Sequence, residues 1–219
     1  MLLITPTQAE YRAVEASLRG LLAAGSLELV MCGMGPECAA EFCRHLEART
    51  RLPEALALIG VAGGLDPALA AGDVVLASAA WDGEGRCAPC TIIPLPGAVV
   101  GPLLTVRRAL YTPAEKAAQQ RATGALAVEM EAYPLAAWAA ERGLSFVHAR
   151  VILDPFDEAL PDLGDALDEY GRVRARGLVG LLLARPSHAV SLVRLVRRSQ
   201  AVTPVLGRLA QAVVKAHRI

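Results

Sequence analysis

Short apolar runs alternate with amphipathic stretches along most of this 219-residue chain, and that alternation leaves few folds open. M-L-L-I-T opens it at 1–5, followed by S-L-E-L-V-M-C at 26–32, A-L-A-L-I-G-V at 55–61, D-V-V-L-A-S-A at 73–79, A-L-A-V-E at 125–129 and S-F-V-H-A-R-V-I at 145–152. Strands this apolar must be covered on both faces, and parallel neighbours need a crossover, usually a helix. Helices are expected over about 7–23, over Pro36–Glu47 and over Tyr133–Arg142. Another follows T-P-A-E at 112–115, which reads as a capping box with proline at the first helical position. Gly63-Gly64 reads as the turn of a strand–turn–strand pair, and Trp81–Gly97 as a loop rich in Gly, Pro and Cys. The expected fold class is α/β in three layers, a central mixed but mostly parallel sheet flanked by helices.

A chain of this length can bury one full core. Its 54% hydrophobic and 4% aromatic content predicts a core of Ala, Leu and Val. No apolar run reaches the roughly 18–20 residues needed to span a bilayer. The first residues, M-L-L-I-T-P-T, carry no basic stretch and no cleavage site of a secretory signal, so a cytoplasmic location is expected. Five cysteines is an odd number for a disulfide framework. C-A-P-C at 87–90 would need two further ligands to hold zinc. Cys32, Cys38 and Cys43 read as small apolar residues. Neither a metal nor a cofactor is expected.

The zero net charge conceals an asymmetry. Ten of the 22 Lys and Arg fall in 172–219, which has no Asp or Glu, whereas all 22 acidic residues precede it. The expected division is an α/β domain over 1–165 and a basic helical extension over 166–219. In that tail one helix is expected from Arg176 to Ala184, stopped by Pro186. A second is expected after Ser187, and a third from Pro204. Basic amphipathic helices lie on anionic membranes, so 172–219 is a candidate for peripheral contact at the inner face of a membrane. The alternative is that its apolar faces pack on the acidic body or on a second copy. Nucleic acid is not expected, because the basic residues lack interleaved aromatic platforms.

A-V-E-M-E-A at 127–132 places Glu129 and Glu131 at the end of one apolar strand, and A-R-V-I-L-D-P-F-D at 149–157 places Asp154 and Asp157 just past another. Open α/β sheets put their ligand crevice at such carboxyl ends. Two carboxylates there can divide acid work from hydroxyl binding, because their surroundings can push their pKa values apart. Taken singly, each could instead merely favour the helix that follows it.

These residues resemble the nucleoside phosphorylase and nucleosidase superfamily, which includes methylthioadenosine/S-adenosylhomocysteine nucleosidases and purine nucleoside phosphorylases. L-I-G-V-A-G-G-L-D-P-A-L-A-A-G-D-V-V at 58–75 and C-G-M-G-P-E-C-A-A at 32–40 are similar to its glycine segments. T-P-A-E-K-A-A-Q-Q-R-A-T-G-A-L-A-V-E-M-E at 112–131 and the tail from Asp157 are similar to its hopanoid-associated branch.

The resemblance implies a nucleoside phosphorylase-like fold and cleavage of an N-ribosidic bond. Asp154, the aspartate of R-x-x-x-D, would protonate the base. Glu131 would grip the ribose 2′- and 3′-hydroxyls, with Met130 against the sugar and Glu129 beside it. Glu10, just after the first strand, would activate water; its alternative role is a residue of the first helical turn. Ala62, Gly63 and Gly64 of the V-A-G-G segment and Gly33 of the earlier loop would allow close backbone approach to the ligand. The chain departs from the nucleosidase pattern at Leu153, where Ser is usual, at Val61, at Thr5-Pro6 and at Tyr133-Pro134. Its segment 80–125 is also short. No Arg or Lys stands in 32–36 or 60–64 to hold phosphate, so hydrolysis is expected over phosphorolysis.

The implied substrate is a purine nucleoside or an adenosyl-lipid: adenosylhopane from the branch resemblance, with adenine released. A soluble methylthioadenosine or S-adenosylhomocysteine nucleosidase and a purine nucleoside phosphorylase are the alternatives within the class. A non-catalytic descendant that binds a nucleoside or a membrane is the alternative outside it. A homo-oligomer is the expected assembly.

Overall fold

The computed structural model describes residues 1–163, 166–174, 176 and 188–217. In chain order the elements are β1 (Leu2–Thr5), α1 (Gln8–Ala23), β2 (Glu28–Met31), α2 (Pro36–Glu47), β3 (Ala55–Gly64), β4 (Val74–Trp81), β5 (Cys87–Pro89), β6 (Val99–Thr105), α3 (Pro113–Thr123), β7 (Ala127–Glu129), α4 (Ala132–Glu141), β8 (Ser145–Asp154) and α5 (His188–His217).

The two longest strands, β3 and β8, run parallel side by side through the middle of the sheet. β1 and then β2 extend it in parallel on the free side of β3. β8 pairs antiparallel with β4, β4 parallel with β6, β6 parallel with β7, and β7 returns antiparallel to β3. Five strands therefore close into a ring, and β5 hangs on β4 as an antiparallel partner.

Two-residue periodicity explains the layers. Leu56 and Leu58 of β3 pack with Leu2 and Ile4 of β1 against Cys43 and Leu46 of α2 and Leu135 and Trp138 of α4. Ala57 and Ile59 face the other way, with Leu3, Val147, Ala149 and Val151, onto Val14 and Leu18 of α1 and onto α5. Helices thus cover both faces of a mixed, mostly parallel sheet, the architecture expected from the alternation of elements.

Thr112 and Glu115 form the expected capping box at α3, and Thr7 and Glu10 form one at α1. Other expectations are corrected. Gly63 and Gly64 are not a turn but the last two residues of β3, and β8 lies between β3 and β4. Neighbours crowd Gly63: a Cβ on it would stand 3.0 Å from Asp154 Oδ2. The segment read as a loop over 81–97 contains β5, and β6 follows it where no strand was expected. Its V-V-G-P-L-L-T sequence carries both a glycine and a proline, the usual marks against a strand interior.

Pro204 does not begin a new helix; it sits inside α5, which runs 30 residues. A proline inside a helix costs about 3 kcal/mol. That cost is offset by the face on either side of it: Val202, Leu206, Leu209, Ala210, Val213 and Val214 are all buried in the α1/β8 cluster. The helix expected over Arg176–Ala184, with its stop at Pro186 and cap at Ser187, falls almost wholly outside the described residues.

Ahead of α5, residues 166–174 are tied to the loops of the body. Gln8 N donates to Tyr170 O at 3.0 Å, and Met34 N to Glu169 O at 2.7 Å. All five cysteines are free; Cys32 and Cys43 are buried, Cys38 is half-buried, and Cys87 is exposed. Among the described residues no helix is long and apolar enough to cross a membrane.

Candidate active site

A charge inside a buried strand must find partners, and β8 carries two basic residues in its apolar run. Arg150 is 1% exposed. Its Nη2 donates to Glu129 Oε2 at 2.6 Å and to Glu131 Oε2 at 2.9 Å, and its Nη1 lies 3.9 Å from Glu10 Oε1. Its Nε donates to Nε2 of His148 at 3.0 Å. That bond requires His148 to be unprotonated at Nε2, and burial together with the Arg150 charge holds its pKa well below the usual value. Burial works against the Arg150 charge as well, but Glu129, Glu131 and Glu10 outweigh it and raise its pKa. Gly60 makes the arrangement possible, since a side chain there would collide with Arg150 and Glu10.

The carboxylates around Arg150 have distinct duties. Glu129 accepts from Thr105 Oγ1 and from the N–H groups of Glu131 and Ala132, both at 2.9 Å to Oε2, so it caps the start of α4 and anchors Arg150. Little of it remains for a ligand. Among the described residues Glu131 accepts from Gly35 N, at 3.0 Å, and from Arg150. Burial pushes its carboxyl up to about 7, opposed by Arg150 and reinforced by Glu129 and Glu10. Glu10, in the first turn of α1, accepts from Thr7 N and Thr7 Oγ1 through Oε2 and from Val61 N at 2.8 Å through Oε1. The cap role and a place in the cleft therefore coexist.

Asp154 ends β8, where a register slip after Ala62 sets it opposite Gly63. Burial pushes its carboxyl up to about 6, against the pull of Lys116 and Arg198. Lys116 Nζ is 2.6 Å from Asp154 Oδ2. The ammonium sits directly against the carboxyl and favours its ionised form.

Glu10, Glu131 and Asp154 line one cavity of about 220 Å³, together with Glu129, Met130, Ala62, Gly63 and Arg150. Much of the remaining wall is apolar, from Pro6, Met34, Val61, Val106, Leu110, Leu153 and Leu160. Gly64 and Gly33 do not line it. A side chain on Gly64 would meet the Asp154 carbonyl, and one on Gly33, at φ +84°, would meet Cys38 in the loop that turns the Gly35 N–H toward Glu131. Asp157 is exposed outside the cavity.

Sequence reasoning did not single out Lys116, Thr105, His148 or Gly60, and took Arg150 only as part of R-x-x-x-D. A basic pair two residues apart in an apolar strand was the available signal for His148 and Arg150.

The Phosphorylase superfamily profile matches residues 5–97 and 95–179, and the chain belongs to that superfamily. Among solved structures, a 5′-methylthioadenosine/S-adenosylhomocysteine nucleosidase of Helicobacter pylori superposes with a TM-score of 0.68 at 12% identity, covering 98% of this chain and 97% of that one. Futalosine hydrolase of the same organism gives 0.65 at 11%, covering 98% and 96%. The Neisseria meningitidis 5′-methylthioadenosine/S-adenosylhomocysteine nucleosidase, in complex with methylthio-immucillin-A, gives 0.62 at 18%, covering 97% of both chains. At these identities the likeness is one of fold. The curated proteins contain no match.

Proposed function

We propose that the protein is a nucleosidase that hydrolyses the N-ribosidic bond of an adenosyl compound and releases adenine. The observation that carries this reading is the meeting of Glu10, Glu131 and Asp154 in one buried cleft, each held differently. Asp154, its carboxyl raised by burial, gives its proton to the base as the C1′–N bond breaks and the bonding pair leaves with the base. Glu131 accepts from the ribose hydroxyls, and its negative charge stabilises the sugar as it becomes cationic. Glu10 accepts the proton of the water that attacks C1′. Met130 packs on the sugar.

Water is favoured over phosphate by charge. Among the described residues lining the cleft, Arg150 is the single cation, and Glu129 and Glu131 already hold it. Adenine should therefore form at the same rate in phosphate-free and phosphate buffer, with free sugar as the other product by chromatography. A rate that requires phosphate and yields sugar 1-phosphate would replace hydrolysis by phosphorolysis.

The apolar wall suits an uncharged 5′ substituent, and we assign adenosylhopane, a lipid-linked nucleoside, as the substrate, in keeping with the branch resemblance. A soluble methylthioadenosine-type substrate is the rival within the same site. The first half of α5 supports the lipid reading. Val190, Val193 and Val196 are 66%, 52% and 48% exposed, and Arg194 and Arg197 stand exposed beside them. Each basic residue near an anionic bilayer contributes about 1 kcal/mol. The protein should bind vesicles containing acidic lipid, be partly released as salt rises, and bind more weakly when Arg194 and Arg197 are both changed to Gln. Absence of vesicle binding at low salt would leave only the soluble substrate.

A further inference from the structure

Lysine is almost never fully buried unless paired, yet Lys116 of α3 is 0% exposed and is the buried residue of an otherwise half-buried or exposed helix. Its Nζ donates to Pro155 O at 2.6 Å, Glu158 O at 3.1 Å and Asp154 O at 3.4 Å. An ammonium has three protons, shared here among these carbonyls and the Asp154 carboxylate, whose Oδ2 lies 2.6 Å from Nζ. The ammonium is therefore fixed to the backbone of the 154–158 segment, with its charge directly against Asp154. Arg198 of α5, itself paired with Glu158, also acts on Asp154.

We propose that Lys116 is the positioning residue of the acid: it holds the Asp154 carboxyl through the backbone that follows it and stabilises the carboxylate left when the proton passes to the base. The inference rests on the reading of Asp154 as proton donor. In the step, the Asp154 O–H proton moves to a ring nitrogen of the base, the C1′–N pair goes to the base, and Lys116 keeps its three protons. Burial alone would make Asp154 too weak an acid, and the lysine alone would leave it ionised. Opposed, they keep the group near working pH, where general acids are most effective.

An opposite charge this close lowers a carboxyl pKa by about 1–3 units. Lys116→Gln, which keeps a donor for the carbonyls, and Lys116→Met, which keeps the length, should each move the alkaline limb of the kcat/KM profile up by about 1–3 pH units. Each should also lower the plateau of kcat by about tenfold or more, since a weaker acid transfers its proton more slowly. Lys116→Arg, which keeps the charge, should hold the limb near its original place. An unmoved limb in a folded neutral variant, or an equal shift in Lys116→Arg, overturns the proposal. So does loss of the fold in both neutral variants, which would mark a purely structural lysine. Failure of the underlying reading looks different: Asp154→Asn would then retain activity whatever the Lys116 variants do.

Discussion

Asp154→Asn is expected to reduce adenine release by about 100- to 10,000-fold, the usual contribution of a positioned acid, in a protein that still folds. The amide has the shape of the carboxyl and its oxygen can still face Lys116, but it has no proton to give. In the unmodified protein, kcat/KM should fall as pH rises through about 6, the value to which burial lifts the Asp154 carboxyl. The sign follows from the role: Asp154 acts protonated, so its contribution is lost as pH rises, whereas Glu131, pushed up to about 7, must be ionised to hold the sugar, so activity falls on the acid side as well. Rates measured by adenine chromatography across pH 5–8 check both statements. A loss under threefold in Asp154→Asn would remove the residue from the mechanism.

Arg150→Met should have the largest effect on stability. It leaves Glu129 and Glu131 buried without the guanidinium that binds both, and removing one partner of a buried ion pair costs about 3–5 kcal/mol. Without Arg150 the folded-state pKa of the Glu131 carboxyl rises further above its unfolded value. The folded state then binds protons more readily than the unfolded state, so the variant should lose stability as pH rises. Thermal unfolding should accordingly show a larger deficit at pH 8 than at pH 5. An equal deficit at both would mean that lost packing, not unpaired charge, dominates.

Much of the frame was legible because it depends on local pattern. Pro36–Glu47 was read to the residue as a helix, since its apolar positions repeat at helical spacing behind a proline. The T-P-A-E box announced α3 for the same kind of reason. What escaped depends on partners distant in sequence. Nothing near 74–81 indicates that β4 runs antiparallel to β8, and a strand carrying Gly101 and Pro102 reads as irregular until its neighbours are known.

The site divides along the same line. Glu131 and Asp154 stood out because carboxylates at strand ends are conspicuous, Glu10 only through the family resemblance, and the cleft does contain all three. Glu129, equally conspicuous, spends its oxygens on α4 and Arg150. Lys116 escaped because a lysine in an amphipathic helix is ordinarily a solvent-facing residue, and its counterpart lies 38 positions along the chain. Pro204 misled for an opposite reason: a strong local signal was overridden by six buried apolar side chains on its own helix.

One cleft serves as the nucleoside site, and a crystal structure of Asp154→Asn protein grown with methylthioadenosine is the decisive measurement. The nucleoside is expected in the cavity between β3, β7 and β8, its ribose hydroxyls on the Glu131 carboxylate, its base against residue 154, and a water between Glu10 and C1′. A nucleoside bound elsewhere on the molecule, or one whose sugar does not reach Glu131, would contradict it.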